Sequence, residues 1–425
     1  MKRYLLFTLF GMGAIIANAQ DTITVSMGAG GINDVWYNID SDETNSASAT
    51  NWDIAFQIGG LADGSVMVNS ANGRKLFVYP GDIEDWATVD TTGMNWDELF
   101  NNPKDWKTGA FNSIKDINEQ FDYGWGDYVP AYHGLIGKSL YILKLSNNDY
   151  RKIKIDSLNG YTGLYKFTYA NLDGSNEISS QVNKNDYTGY NFIYYSVSGD
   201  AVIDNREPKK VNEWDLLFTN YIDLAPNPFT QVLEMAKAGG VLASPGLEIA
   251  QVDGVDPENY MDWFGANYSF DMNTIGHDWK NFNMNAMPPA YEYVTDRVYF
   301  VKANSGNVWK LVFFNYGGAS NGNIIFWKEL MSEASLDKNN LPQANAVIYP
   351  NPATSQVSVL LNNFGNTDMS LSITNILGEV VYQENTPNTG DLNLKTISTE
   401  NFKSGTYFIH IRTKDQGITK KLIIQ

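Results

Sequence analysis

The sequence predicts an all-β protein with two homologous antiparallel β modules followed by a small C-terminal β-sandwich. Short apolar runs rich in β-branched and aromatic residues, such as 140–145 and 309–314, recur along the chain. Residue types of this kind favour pleated, half-buried strands. Turn-forming clusters such as 146–149 and 317–322 separate these runs, and stretches with helical periodicity are scarce. We therefore expect hairpins, for example between 298–302 and 309–314.

The N-terminal segment has the pattern of a signal peptide over residues 1–19. Lys2 and Arg3 precede an apolar stretch, and Ala17 and Ala19 form an A-x-A cleavage site. The apolar stretch is too short for a stable membrane anchor, and no later run of 18 apolar residues exists. The sequence therefore predicts export and no transmembrane span.

Composition narrows the classes of function. The chain of 425 residues has no cysteine, so disulfides, thiol catalysis and cysteine metal sites are excluded. Its formal net charge is −18, and nucleic acid binding requires compensating Lys and Arg. The sequence therefore predicts no nucleic acid partner.

The body of the chain contains an internal repeat with a period of about 160 residues. Its landmarks are WDIAF at 52–56 and WDLLF at 214–218, PAY at 130–132 and 289–291, and LYILK at 140–144 with VYFVK at 298–302. We expect Trp52 and Trp214 to anchor cores. The following acids would cap turns or meet a buried partner, for which Lys144 and Lys302 are candidates.

Polar stretches divide the chain into five segments. The stretch 199–212 carries charges and Pro208, and 332–345 is charged and lacks aromatic residues. The predicted segments are a signal peptide at 1–19, a first module at 20–205, a second module at 206–331, a linker at 332–345 and a C-terminal domain at 346–425.

The C-terminal segment carries several short motifs in a fixed order. They are YPNPA, with Tyr349, Pro350, Asn351 and Pro352; an NxLGExV turn with Gly378; an SGTY strand with Gly405 and Tyr407; and a KKL ending with Lys420 and Lys421. Over about 348–425 the chain resembles the type A C-terminal sorting domain of the type IX secretion system of Bacteroidetes. That resemblance implies export by the type IX machinery as partner, often with removal of the domain. The expected location is secreted or attached to the outer-membrane surface, after signal-peptide cleavage.

Familiar catalytic patterns are missing from the sequence. There is no GxSxG, HExxH, P-loop or GxGxxG before a helix, and only His133 and His277 are available outside the C-terminal domain. Asp82, Glu84 and Asp85 could supply paired carboxylates, but an exposed loop is the simpler interpretation. The sequence predicts a binding protein with no catalytic residue, and an extracellular hydrolase is the second alternative.

The WD[IL]xF start and the later YIxK-type hairpin of each copy resemble the haem-binding HmuY family of Bacteroidetes. The resemblance implies an all-β fold with an apolar pocket and His or Met ligands to haem iron. The candidate ligands for haem or a related tetrapyrrole are His133, His277, Met272 and Met284, with Met287 nearby in sequence. Neither copy holds two histidines, so a bis-histidine site within one module is excluded. The alternative interpretation places both histidines at strand ends or in loops.

A carbohydrate ligand is the first alternative to haem. Trp86, Trp106, Trp125 and Trp263 lie in turn-rich segments, where exposed aromatic rings stack on sugars; buried packing is the competing interpretation for each.

The acids of 40–46 alternate as in a calcium loop. They lack the glycine and the distal glutamate of an EF-hand. The sequence predicts a solvated loop and no metal site.

Overall fold

The computed structural model describes residues 21–60, 63–209, 213–227, 229–230, 232–332, 345–362, 369–376, 378–386, 392–412 and 417–425. The chain divides into two compact units, Met1–Ala334 and Ser335–Gln425. Both are antiparallel β structures in their described parts, which confirms the all-β class. The predicted signal peptide and all but the ends of the predicted linker lie outside the described residues.

Among its described residues, the first unit has 23 strands and a few short helical turns. The strands are β1 (Asp21–Ser26), β2 (Asn33–Tyr37), β3 (Thr44–Ser48), β4 (Ile54–Gln57), β5 (Val66–Val68), β6 (Lys75–Asp82), β7 (Gly126–Val129), β8 (Gly134–Gly137), β9 (Ser139–Lys144), β10 (Tyr150–Asn159), β11 (Leu164–Asn171), β12 (Ile178–Asn183), β13 (Phe192–Ser196), β14 (Ala201–Val202), β15 (Leu216–Pro226), β16 (Leu233–Ala243), β17 (Glu248–Asp253), β18 (Tyr268–Ser269), β19 (Lys280–Asn283), β20 (Ala290–Tyr293), β21 (Arg297–Lys302), β22 (Val308–Tyr316) and β23 (Asn323–Ser332). The helical turns are α1 (Gly318–Asn321) and 3-10 turns at Ala29–Gly31, Ser70–Asn72, Ile83–Thr88, Ala110–Asn112 and Lys184–Tyr187.

Two β-sandwiches make up this unit. Sandwich I has an inner sheet of order β5-β4-β13-β14 and an outer sheet of order β6-β9-β10-β11-β12, to which the hairpin β7–β8 is added through β10. Sandwich II has an inner sheet of order β16-β15-β2-β3 and an outer sheet of order β18-β17-β21-β22-β23-β1. Each sandwich encloses its own aromatic-rich core between its two sheets.

The inner sheets are apolar on both faces, and those outward faces pack against each other. On β4, Ile54 and Phe56 enter the core of sandwich I, while Ala55 faces the other sandwich. On β15, Leu216 enters the core of sandwich II, while Leu217 faces sandwich I. This double burial explains why the WDIAF and WDLLF runs are continuously apolar rather than alternating. The unit is thus a stack of four sheets.

The strands β1–β3 belong to sandwich II, although the sequence analysis groups residues 20–205 as one module. β1 pairs with β23 from Asp21↔Lys328 to Ser26↔Asn323, and β2 pairs with β15. In sandwich I, β12 pairs with β11 as β1 pairs with β23 in sandwich II. Likewise, β13 pairs with β4 as β2 pairs with β15. The two sandwiches therefore have one strand order, but sandwich II is completed by the start of the chain. Sequence adjacency favoured the contiguous boundary, and long-range pairing decided otherwise.

A short sequence signal marks this arrangement. The stretch Asn33-Asp34-Val35-Trp36-Tyr37 has the same pattern as Asn191-Phe192-Ile193-Tyr194-Tyr195. The carbonyls of Tyr37 and Tyr195 accept hydrogen bonds from the backbone N–H of Asp215 and of Asp53, respectively. Both tyrosines are buried in the cores of their sandwiches. The two stretches thus occupy corresponding places in the two sandwiches.

The WD acids are buried and hold the turns that follow the neighbouring strand. Asp53 accepts hydrogen bonds from Ser198 and an ion pair from Arg74 Nε at 2.7 Å. Asp215 accepts from the backbone N–H of Ile39 at 2.9 Å and of Asn304 at 2.8 Å. The expected partner Lys302 instead pairs with Glu248.

The C-terminal unit is a small sandwich. Its strands are β24 (Asn345–Tyr349), β25 (Gln356–Asn362), β26 (Met369–Asn375), β27 (Val380–Thr386), β28 (Leu392–Ser398), β29 (Gly405–Arg412) and β30 (Gly417–Ile424). A sheet of order β24-β25-β28 and one of order β27-β26-β29-β30 enclose a core with Val357, Ile373, Ile409 and Leu422.

The predicted motif residues hold this small sandwich together. Asn351, between Pro350 and Pro352, donates from Nδ2 to the Lys421 carbonyl and accepts from the Ile423 N–H, both at 2.8 Å. Tyr349 ends β24 and Gly405 begins β29. Further motif residues sit as follows: Gly378, with φ of +83°, in the turn before β27; Tyr407 in the core; Lys420 and Lys421 in β30 opposite Ile409 and Phe408.

Candidate functional site

The polar stretch 199–212, predicted to mark a module boundary, buries two of its charges, those of Arg206 and Glu207. The Arg206 guanidinium lies 5.3 Å from the Trp36 ring, 5.5 Å from Trp52 and 4.5 Å from Tyr194. It also forms an ion pair with buried Asp34 of sandwich II. Because its partners come from both inner sheets, Arg206 joins the two sandwiches through charge and cation–π contacts.

Glu207 is buried beside it. Its carboxylate accepts hydrogen bonds from the backbone N–H groups of Asn191 and Phe192 and from the Tyr194 hydroxyl. Burial raises the pKa of Glu207 to about 7, although these hydrogen bonds and Arg206 act in the opposite direction. The carboxyl is therefore partly protonated at neutral pH.

A cleft of about 740 Å³ opens beside this junction. Residues of sandwich I, of the loop that carries Trp106, and of sandwich II near Phe270 line it. A smaller cavity of about 100 Å³ lies between the inner sheets and shares Asn102, Trp106 and Phe192 with the cleft. The cleft is within the size range of small-ligand sites, roughly 300–1,000 Å³, and the smaller cavity is below it.

Trp106 is the central aromatic residue of the cleft. Its indole N–H donates to the Ala243 carbonyl at 2.9 Å, and its ring lies 5.9 Å from that of Phe192. These contacts fix the ring, which remains partly exposed. Phe270, 67% exposed, adds a second ring to the lining. Two rings of this kind provide stacking surface for a ligand with an apolar face.

Amide and carboxylate groups surround these rings. Asn102 donates to Asp105, and the Asp105 carboxylate also accepts from the Lys107 N–H at 2.7 Å. Asn191 is 4% exposed, and its side-chain Nδ2 has no hydrogen-bond partner within the described residues. A buried amide donor without a partner is costly unless something accepts from it. The cleft thus combines the fixed Trp106 ring and the exposed Phe270 ring with a buried amide donor that has no partner among the described residues.

The other tryptophans named from the sequence have different roles. Trp125 is fully buried and donates to the Gly64 carbonyl, so it is a core residue. Trp86 donates to Glu177 and lies beneath Lys152 and Lys154. Trp263 packs against Phe264 and the face of the outer sheet of sandwich II. Of the four, the structure brings only Trp106 to the cleft.

The structure does not bring the haem-ligand candidates together in one cavity. His133 is exposed in the β7–β8 turn of sandwich I, where it contacts Tyr128 and Tyr161. Met272 lines the 100 Å³ cavity, whereas His277 lines another pocket in sandwich II. Met284 and Met287 are exposed after β19 and line neither. The sequence suggested a shared site from proximity along the chain, but these side chains do not line one common cavity.

The acidic clusters of the sequence also have structural partners. Asp82 and Asp85 cap the start of the turn at Ile83–Thr88, because each side chain accepts from the backbone N–H of the other residue. In the loop 40–46, Asp40 accepts from Asn307 and Trp309, and Asp42 pairs with Lys328. These carboxylates tie loops to neighbouring strands.

Sequence reasoning missed Arg206, Glu207 and Asn191. Arg206 and Glu207 lie in the polar stretch 199–212, and Asn191 directly precedes an aromatic run. The aromatic pattern shared by 33–37 and 191–195 is the signal that could have located them, since both stretches face the junction.

Comparison with known proteins assigns the C-terminal unit. Residues 347–425 match the family described as Secretion system C-terminal sorting domain. These residues are a type IX secretion sorting domain. The sorting domain directs export through the type IX system, so the protein is secreted or attached to the cell surface. No helix within the described residues is both long and apolar enough to cross a membrane.

Two solved structures are distantly similar to the chain. Apo PinO from Porphyromonas gingivitis aligns over 75% of this chain and 100% of its own, with 9% identity and a TM-score of 0.24. Dimeric latent PorU from Porphyromonas gingivalis aligns over 91% of this chain and 36% of its own, with 8% identity and a TM-score of 0.18. Alignments with TM-scores this low do not establish the fold or the function of the body. No curated protein matches the chain, and the resemblance to HmuY is not shown.

Proposed function

We propose that the protein is an exported binding protein whose cleft between the sandwiches binds carbohydrate. The observation that carries the proposal is the combination of the fixed Trp106 ring with the unpartnered Asn191 amide. Sugar rings present apolar C–H faces that stack on aromatic side chains, and hydroxyls that accept from amides.

The surroundings of the cleft agree with this ligand class. Its volume of about 740 Å³ suits a short segment of a polysaccharide. It lies at the junction of two sandwiches, where both bodies contribute lining residues. An exported protein meets extracellular polymers, so the ligand class also fits the destination.

The test is a binding assay of the purified chain against soluble β-glucan, xylan and mannan by affinity electrophoresis. Phe270→Ala should weaken binding about tenfold, equivalent to 1.4 kcal/mol, because it removes exposed stacking surface. Phe264→Ala is the matched control, because Phe264 is also exposed and does not line the cleft. Equal effects of the two substitutions, or no retardation by any of the three polymers, would contradict the proposal.

A further inference from the structure

Sandwich II carries a second pocket, of about 500 Å³, that is separate from the cleft. It lies between the hairpin β15–β16 and the hairpin β19–β20, with Tyr316 of β22 also in its lining. Its volume is within the roughly 300–1,000 Å³ of small-ligand sites. Strands rather than long loops provide most of its walls, so its shape is well determined.

The ionisable side chains of the lining, tyrosines aside, are all basic. Lys237, Lys280 and His277 line the pocket, and no Asp or Glu does so among the described residues. This composition is unexpected in a chain with a net charge of −18. A recess of this kind, enclosed by apolar walls, attracts anions even when the whole protein is acidic.

The Lys280 side chain is held in place by a backbone carbonyl and two aromatic rings. Its ammonium donates to the Gly239 carbonyl at 2.6 Å and lies 4.4 Å from the Trp279 ring and 4.6 Å from the Tyr316 ring. Burial lowers the pKa of Lys280 to about 7. The carbonyl and the two rings therefore fix the Lys280 side chain in the pocket.

Aromatic rings form another part of the pocket lining. Phe282 and Tyr291 have ring centroids 4.9 Å apart, and Tyr291 and Tyr316 are 5.0 Å apart. Phe282 remains 38% exposed. These side chains offer a continuous ring surface beside the basic groups.

We propose that this pocket binds a carboxylate-bearing ring compound, with the carboxylate toward Lys237 and Lys280 and the ring against Phe282 and Tyr291. A sugar acid and an aromatic acid share this chemistry, and the experiment separates them. The inference concerns a different site from the cleft and does not depend on carbohydrate binding there.

The test is calorimetric titration of the full chain with two pairs of probes. Trigalacturonate is compared with its methyl ester, and benzoate with benzamide, so that each pair differs in charge but not in ring. We expect at least one acid to bind, and its neutral partner to bind at least tenfold more weakly. Binding by trigalacturonate alone assigns a sugar acid, and binding by benzoate alone assigns an aromatic acid.

Matched variants locate the binding. Lys237→Met and Phe282→Ala should each weaken binding about tenfold, because both side chains are exposed in the pocket. Lys166→Met, at an exposed lysine of sandwich I, and Phe314→Ala, at a phenylalanine that is 40% exposed, should leave it unchanged. Phe270→Ala in the cleft should also leave it unchanged, which separates this site from the other.

The pH dependence of binding provides a further test. Burial and Lys280 lower the pKa of His277, and the nearby Asp223 and Asp278 oppose this shift only in part. Protonation of Lys280 as the pH falls from 8 to 6 should strengthen binding of the acid that binds. Lack of binding by both acids, equal binding of neutral analogues, or equal losses in the pocket variants and their controls would each overturn the proposal.

Discussion

At the scale of the residue, the junction of the sandwiches depends on charges that the interior must compensate. Arg206 and Asp34 are both buried and come from different parts of the chain. Removing one member of a buried pair typically costs about 3–5 kcal/mol, because the other is left uncompensated. The three rings around Arg206 make its position more specific. These residues therefore fix how the inner sheets meet.

Glu207 makes the stability of the protein depend on pH. Its pKa is raised to about 7 in the folded state from 4.5, so its stabilising contribution is complete below about pH 4.5 and is lost as the pH rises through 7. As the pH rises from 5.5 to 8.0, this carboxyl should lower the unfolding free energy of the wild type by about 2 kcal/mol. Glu207→Gln should remove that dependence, as measured by urea unfolding at both pH values.

The control for Glu207 is Glu258→Gln, which removes one charge from an exposed position. The relevant quantity is the difference in unfolding free energy between each variant and the wild type. A difference for Glu207→Gln that stays constant from pH 5.5 to 8.0 would show that Glu207 does not titrate in this range.

Residue-level prediction from the sequence succeeded where local pattern decides the environment. Trp214 is buried, as expected of a strand tryptophan in an apolar run. Arg206 and Glu207 could not be found in this way, because a charged stretch with Pro208 resembles a solvated linker. Their burial results from two sheets that close over them, which local sequence does not encode.

At the scale of the element, the sheets of sandwich II join the beginning of the chain to its later part. β1 completes the outer sheet beside β23, and β2 and β3 complete the inner sheet beside β15. The hairpin β21–β22 was predicted from sequence and is confirmed by the pairing of Tyr299 with Leu311. Hairpins are readable because their partners are adjacent in sequence. The pairing of β1 with β23 spans almost the whole body and has no local signal.

A circular permutant tests this arrangement. In sandwich I, Tyr169 of β11 pairs with Ile178 of β12, and in sandwich II Lys328 pairs with Asp21. A linker of about four residues from 332 to 21 should therefore reproduce the β11–β12 connection, with new termini between Thr50 and Asn51, which are exposed. We expect this permutant of 21–332 to fold with unchanged urea midpoint, because it keeps every strand pairing.

The comparison for the permutant is a chain from which 21–50 are deleted. That deletion exposes the edge of β23 and one side of β15, so sandwich II should lose hydrogen-exchange protection while β10 and β11 of sandwich I keep it. A permutant as unstable as the deletion would show that the strand pairing alone does not specify the fold.

At the scale of the whole molecule, the sorting domain and the candidate binding sites belong to separate units of the chain. The sorting domain forms its own compact unit with its own core. The cleft and the basic pocket lie in the other unit. Each part can therefore be changed without removing the core of the other.

Removal of 346–425 should abolish export while leaving the body folded. In a host with a type IX system, we expect the truncated chain to be absent from the cell surface and the medium by immunoblot. The circular dichroism of the purified truncated chain should be that of a folded β protein. Fusion of 346–425 to an unrelated reporter with a signal peptide should restore surface or medium localisation. Export of the truncated chain would contradict an export role carried by this domain alone.

The sequence by itself determined the all-β class, the sorting domain and the destination, because strand alternation and ordered motifs are local properties. The tertiary structure alone decided that β1–β3 close sandwich II. It also decided that His133, His277 and Met272 do not share a cavity. Finally, it placed Arg206 and Asn191 at the junction. Such features depend on contacts between residues far apart in sequence. The sites follow from those contacts, because each pocket is lined by strands that only the folded chain brings together.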